Sequence, residues 1–336
     1  MKKIINDPSN ILDEMVSGLV RSYPQYLKRL EDTFVVARND SNKTKKVGIV
    51  SGGGSGHEPL HAGFVGQGML DAAVCGQVFT SPTPNEVLAA IKESDQGQGV
   101  LLIVKNYAGD VMNFDIAKDL ADLEDIRVEQ IIVDDDISVE DSTYTQGKRG
   151  VAGTILVEKI IGAAAQNGAS LDELVALGNE VIAKTNTIGL ALEPATVPEV
   201  GKPGFEIADD EIEYGVGIHG EPGYKRQKLV PSKELVEELV AKLDKSFNGL
   251  ENKKFAVLIN GLGGTPLMEQ YIFANDVLNK LEEKNVQAAF TKVGTFVTSI
   301  EMAGISLTLL ELTNDEWLDN LNADAQTIGW GDTSVK

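Results

Sequence analysis

The chain has 336 residues, 42% of them hydrophobic and 24% charged, and a formal net charge of −21. That charge argues against nucleic acid and anionic membranes as direct partners, and it disfavours free polyphosphates unless a metal or a basic partner offsets the field. A single cysteine, Cys75, rules out an internal disulfide, and no apolar run approaches a membrane span or a secretory leader, so a cytoplasmic setting is expected.

The length favours two domains. Residues 7–21 predict an amphipathic helix with Ile11, Met15, Leu19 and Val20 on one face, ended by Pro24. Residues 39–46 read as a loop. Residues 47–50 predict a buried strand, followed by a glycine-rich turn, SGGGSGHEP, over residues 51–59. A helix is expected over 60–65, with Pro59 at its first position. Bare N–H groups in that turn would face a ligand. A strand follows near 69–76, and residues 80–84 form a turn that caps a helix from about Asn85. Buried strands are predicted over 99–105 and 128–133, and helices from about Val111, over 150–167 and over 170–185. Strands alternating with helices argue for an α/β sheet, largely parallel and covered on both faces. Three polar clusters then share its carboxyl edge: the glycine turn, residues 105–110, and Asp134 to Asp136.

The texture changes near residue 186, where we place a boundary: 1–186 as one α/β domain and 187–336 as a second with a mixed sheet. Strands are expected over 188–192, 212–218, 254–260, 286–293 and 305–312. Helices are expected over 232–247, with a Ser cap, and over 267–284. Residues 261–265 resemble an anion nest. The tail after Gly331 reads as disordered.

There are three histidines. His57 to His61 spells H-E-x-x-H, but glycines precede His57 and Pro59 suits a helix start, so the two rings cannot share a metal at helical spacing. His61 reads as packed or capping, and no metal site is expected. His219 lies in GVGIHGEPG; it is either a bend at a strand end or an uncrowded nucleophile or base. Asp110 is either a helix cap or a carboxylate base, and Lys105 either a solvated side chain or a local cation. Asp134 to Asp136 read as a solvated turn or a metal site. No nucleotide-binding fingerprint fits anywhere.

Four motifs occur in order: GGGSGHEP (52–59), FTSPTP (79–84), KNYAGD (105–110) and GVGIHGEPG (215–223). With residues 195–203 and 261–266, they make the whole chain resemble the dihydroxyacetone-binding subunit family of dihydroxyacetone kinases. The resemblance implies that His219 binds the ketone as a hemiaminal, that Asp110 is the base on the hydroxyl receiving phosphate, and that His57 assists. Gly54, Ser55, Gly56 and Lys105 would complete the pocket. It also implies no cofactor on this chain, with ADP or ATP and Mg²⁺ on a partner kinase subunit. A phosphocarrier of the phosphoenolpyruvate-dependent sugar phosphotransferase system would stand behind that partner, and the chain would be a homodimer. The rival expectation is a dihydroxyacetone-sensing paralogue that co-activates transcription.

Overall fold

The computed structural model describes residues 2–40, 45–139 and 147–332. Of the tail expected to be disordered after Gly331, Asp332 is paired with Gln326 and the rest lies outside the described residues. Two six-stranded sheets carry the fold. The first comprises β1 (Leu27–Arg29), β2 (Val35–Arg38), β3 (Gly48–Ser55), β4 (Ala72–Val78), β5 (Val100–Lys105) and β6 (Val128–Val133), in the order β1-β2-β4-β3-β5-β6. Its last four strands in that order are parallel; β1 and β2 extend it antiparallel. The aliphatic runs at β5 and β6 have little polar face, so they suit a sheet covered on both sides.

Helices α1 (Ile11–Ser22), α2 (Pro84–Ser94) and α3 (Ala108–Asp122) precede α4 (Thr154–Gln166) and α5 (Leu171–Ala183). Val87, Ile91, Phe114 and Ala117 of α2 and α3 pack on Val50, Leu102 and Val104. Ile155, Ile160 and Leu174 of α4 and α5 cover the opposite face, against Ile49, Leu101 and Ile103. Thr83 and Ser170 close full capping boxes at α2 and α5, the first within the 80–84 turn expected to cap its helix. On α1 the buried stripe is Leu12 and Val16, flanked by half-buried Met15, Leu19 and Val20.

The second sheet is mixed. It comprises β7 (Thr185–Glu193), β8 (Glu211–Tyr214), β9 (Lys225–Lys228), β10 (Lys254–Gly261), β11 (Gln287–Gly294) and β12 (Ala303–Glu311), in the order β11-β10-β12-β7-β8-β9. Only β10 and β11 pair in parallel. Helices α6 (Ser232–Ser246) and α7 (Leu267–Glu283) pack Leu239, Leu243, Phe273 and Val277 on one face. Ala256, Leu258 and Leu310 of the other face join the core built on α4, together with Trp317 of α8 (Asp315–Asn322). A short β13 (Gln326–Thr327) and β14 (Gly331–Asp332) close the chain. Residue 186 lies inside β7, and one apolar core crosses from the first sheet to the second.

Several local expectations need correction. The glycine run is not a turn: residues 52–55 continue β3. A Cβ at Gly52 would stand 2.6 Å from Val74 O, and one at Gly54 2.5 Å from Thr80 N, so neighbouring backbone occupies the space side chains would need. No helix spans 60–65. Gly56 has φ +102°, and only a 3-10 turn, Ala62–Phe64, forms. The nest-like 261–265 segment spends amides on β12 and the residue before it, with Leu262 N donating to Gly304 O and Gly264 N to Met302 O. Ser232 does not cap α6; Pro231 holds that position. Nor do Asp135 and Asp136 form a solvated turn. Asp135 is buried and accepts from Val151 N, Gly153 N and Thr187 Oγ1, while Asp136 pairs with buried Arg149. Those aspartates brace the first sheet against β7.

Candidate active site

The carboxyl ends of β3, β4 and β5 meet a turn from the second half of the chain. Between them lies a cleft of about 410 Å³ lined by Gly54, Phe79, Ser81, Tyr107, Ala108, Gly109, Asp110 and His219. β8 ends at Tyr214, earlier than expected, so His219 is delivered by a tight turn rather than a strand. Gly217 N donates to Glu221 O and Gly220 N to Gly217 O, and Gly215 and Gly220 take φ +79° and +82°. A side chain at Gly217 would collide with Glu221 Oε2 at 2.0 Å. That glycine therefore makes room for the carboxylate that holds the ring.

His219 Nδ1 lies 3.1 Å from Glu221 Oε1, so this nitrogen is the donor. The ring is packed edge-on by Tyr107 at 4.6 Å and Phe79 at 5.1 Å. His57 is buried, stacks on Phe79, and donates from Nδ1 to Thr298 O at 2.7 Å. The two Nε2 atoms then face each other at 3.1 Å. Burial, reinforced by positive charge at His219 and Lys105, pushes His57 well below its ordinary value. His57 is thus neutral, with its Nε2 lone pair turned towards His219.

Burial alone would raise the Glu221 carboxyl. The hydrogen bond and charge of His219, with Arg149 behind, overcome this and hold it at about 2. A carboxyl depressed from 4.5 contributes stability that is present above pH 4.5 and lost as pH falls towards 2. The expected size is about 3 kcal/mol. Urea midpoints at pH 6 and pH 3 should therefore differ less in Glu221→Gln than in the parent.

Asp110 is not a cap. It is the third residue of α3, whose cap position is Tyr107, and it is buried in the cleft wall 3.9 Å from Lys105 Nζ. Lys105 is not solvated; it is 1% exposed and lies below the floor. A Cβ on Gly53 would stand 2.6 Å from Lys105 Nζ and 3.5 Å from Asp110 Oδ2, so that glycine admits both groups. Ser55 Oγ donates to Gly76 O, and Gly56 N donates to the Glu58 carboxylate. Neither residue is among those lining the cleft, and the Ser55 hydroxyl and the Gly56 amide are already partnered. His61 is packed, bonded to Ser51, Lys105 and Glu158. Its ring and that of His57 face different partners, not one point. Phe79, Tyr107, Ser81 and Glu221 were missed as individual residues, although each sits within or beside a motif that carried the reading.

A family model for the Dak1 domain matches residues 17–329. The chain belongs to the Dak1 family. It is 60% identical to the PTS-dependent dihydroxyacetone kinase 1, dihydroxyacetone-binding subunit DhaK, of Listeria innocua, over 98% of this chain and 100% of that one. It is 58% identical to the PTS-dependent dihydroxyacetone kinase, dihydroxyacetone-binding subunit DhaK, of Lactococcus lactis, over 98% and 99%. A solved structure named dihydroxyacetone kinase operon co-activator Dha-DhaQ superposes with a TM-score of 0.90 at 43% identity, covering 95% of this chain and 98% of that one. The expected two-sheet α/β architecture, the first sheet largely parallel and the second mixed, is the one observed. No helix among the described residues is long and apolar enough to cross a membrane.

Proposed function

We propose that this Dak1 chain is the dihydroxyacetone-binding subunit of a dihydroxyacetone kinase supplied by the phosphotransferase system. The observation that carries this reading is the placement of His219 and Asp110 in one cleft, with the His219 Nδ1 nitrogen committed to Glu221 and Nε2 facing His57. Nε2 is then the reacting nitrogen. As it adds to the ketone carbon, its proton passes to His57 Nε2. The carbonyl π electrons move to oxygen, and that oxygen takes the proton from His57. The product is a hemiaminal on an imidazolium ring whose charge Glu221 balances. Atoms and charge are conserved, and neither histidine is left as an unpaired cation.

Capture of this kind selects a ketodiol over a triol of similar size, which shape alone separates by only a few kcal/mol. It also fixes the terminal hydroxyl, lowering the entropic cost of transfer to it. Asp110 then accepts the hydroxyl proton as phosphate arrives. An acidic chain of net charge −21 offers little to stabilise phosphoryl charge, which suits a donor nucleotide and Mg²⁺ carried by a partner subunit.

The likeness to a co-activator at 43% identity favours one other reading, a ketone sensor. Incubation with dihydroxyacetone and the nucleotide-carrying subunit separates them. The kinase reading expects dihydroxyacetone phosphate only when both proteins are present. Ketone binding without product in that mixture would favour the sensor.

A further inference from the structure

Below the cleft floor runs a chain of buried polar groups for which ketone capture has no need. Lys105 Nζ, 3.9 Å from Asp110 Oδ2, lies 2.9 Å from His61 Nε2. His61 Nδ1 lies 2.6 Å from Glu158 Oε1, a buried carboxylate on α4. The three side chains are at most 4% exposed. Ser51 Oγ donates to Ile103 O, so it offers His61 Nδ1 only a lone pair, at 3.0 Å. Glu158 Oε2 has no partner. The other ionisable neighbours acting on this chain are Asp110 on Lys105 and His57 on His61.

Hydrogen-bond logic leaves two arrangements. A Lys105 ammonium has only donors, so His61 Nε2 accepts, Nδ1 carries the ring proton, and Glu158 accepts as a carboxylate. Alternatively a protonated Glu158 donates to Nδ1, Nε2 carries the ring proton, and Lys105 accepts it as a neutral amine. Both hold the same number of protons. To pass from the first to the second, one proton leaves Lys105 for Nε2 and another leaves Nδ1 for Glu158 Oε1. Burial favours the neutral arrangement: it lowers the Lys105 ammonium and pushes the Glu158 carboxyl up to about 8. The Asp110 carboxylate favours the charged one.

We propose that Lys105, His61 and Glu158 form a buried proton relay that sets the charge facing Asp110, with Glu158 a positioning residue acting through His61. This rests on the reading of Asp110 as the base. The ammonium, 3.9 Å away, balances the Asp110 carboxylate that is to take the substrate proton. Once Asp110 holds that proton, the neutral arrangement removes the repelling charge.

The relay is tested without turnover in protein labelled with ¹⁵N at its three histidines. Asp110→Asn removes the charge that favours the ammonium, so the His61 ring proton should move from Nδ1 to Nε2. A His61 proton on the same nitrogen in both proteins overturns the relay. Kinetics supply the second arm. Glu158→Gln cannot take up the relayed proton, so kcat should fall about tenfold. The acidic limb of kcat should move to higher pH, because the substitution removes a carboxylate that helps keep Lys105 charged beside Asp110. The KM for dihydroxyacetone and the mass of the bound adduct should match the parent. An unchanged kcat and pH limb, or loss of adduct together with kcat, would contradict the positioning role. Absence of an adduct in the parent itself counts against His219 instead, and leaves the histidine spectrum to decide the relay.

Discussion

His219→Ala should abolish the covalent adduct with dihydroxyacetone and lower kcat/KM by at least ~100-fold. The substituted side chain removes the Nε2 nucleophile and leaves Gly54, Phe79 and Asp110 in the cleft wall. What remains recognises a small polyol by shape and hydrogen bonds, so the variant should also lose most of its preference for the ketone over glycerol. His219→Gln, which restores a donor near Glu221 but no nucleophile, should fail equally. Intact-protein mass spectrometry after borohydride-free denaturation at low temperature, beside competition assays with glycerol, gives both readouts. Retained ketone preference in either variant would mean that capture does not run through this ring.

Asp110→Asn should leave ketone capture intact and lower the rate of phosphoryl transfer by roughly 10³-fold, the usual worth of a positioned base. The contrast with His219 is the point. Asp110 stands at the start of α3, on the β5 side of the cleft, while the histidine arrives from the 215–223 turn. The two steps are therefore separable: adduct without product for Asp110→Asn, neither for His219→Ala. A single-turnover assay with the loaded partner subunit measures the second step alone. Transfer at the parent rate would remove Asp110 from the reaction.

Much of the scaffold was legible because its signals are local. The aliphatic runs of β5 and β6 and the cap within the 80–84 turn declare themselves within a few residues. β3 was not legible past Val50, because a glycine run looks like a turn until Val74 and Thr80 are seen to fill the side-chain space. β9, Lys-Arg-Gln-Lys, has no apolar residue to mark it, and its strand character comes from pairing with β8. In the site, His57, Asp110 and His219 stand inside glycine-rich motifs that suggest chemistry. The relay below them does not announce itself. His61 and Glu158 lie 97 residues apart, and their contact exists only after α4 packs across β3. One signal was present: Glu158 and Lys159 are two charged residues set among the aliphatic residues of α4, where a buried charge needs a partner.

The most direct measurement is a crystal structure of the protein with dihydroxyacetone bound. The account predicts continuous density between His219 Nε2 and the ketone carbon at single-bond distance, a tetrahedral carbon, and the terminal hydroxyl within hydrogen-bond reach of Asp110. A planar ketone resting at van der Waals distance from the ring, or His219 rotated out of the cleft, would contradict it.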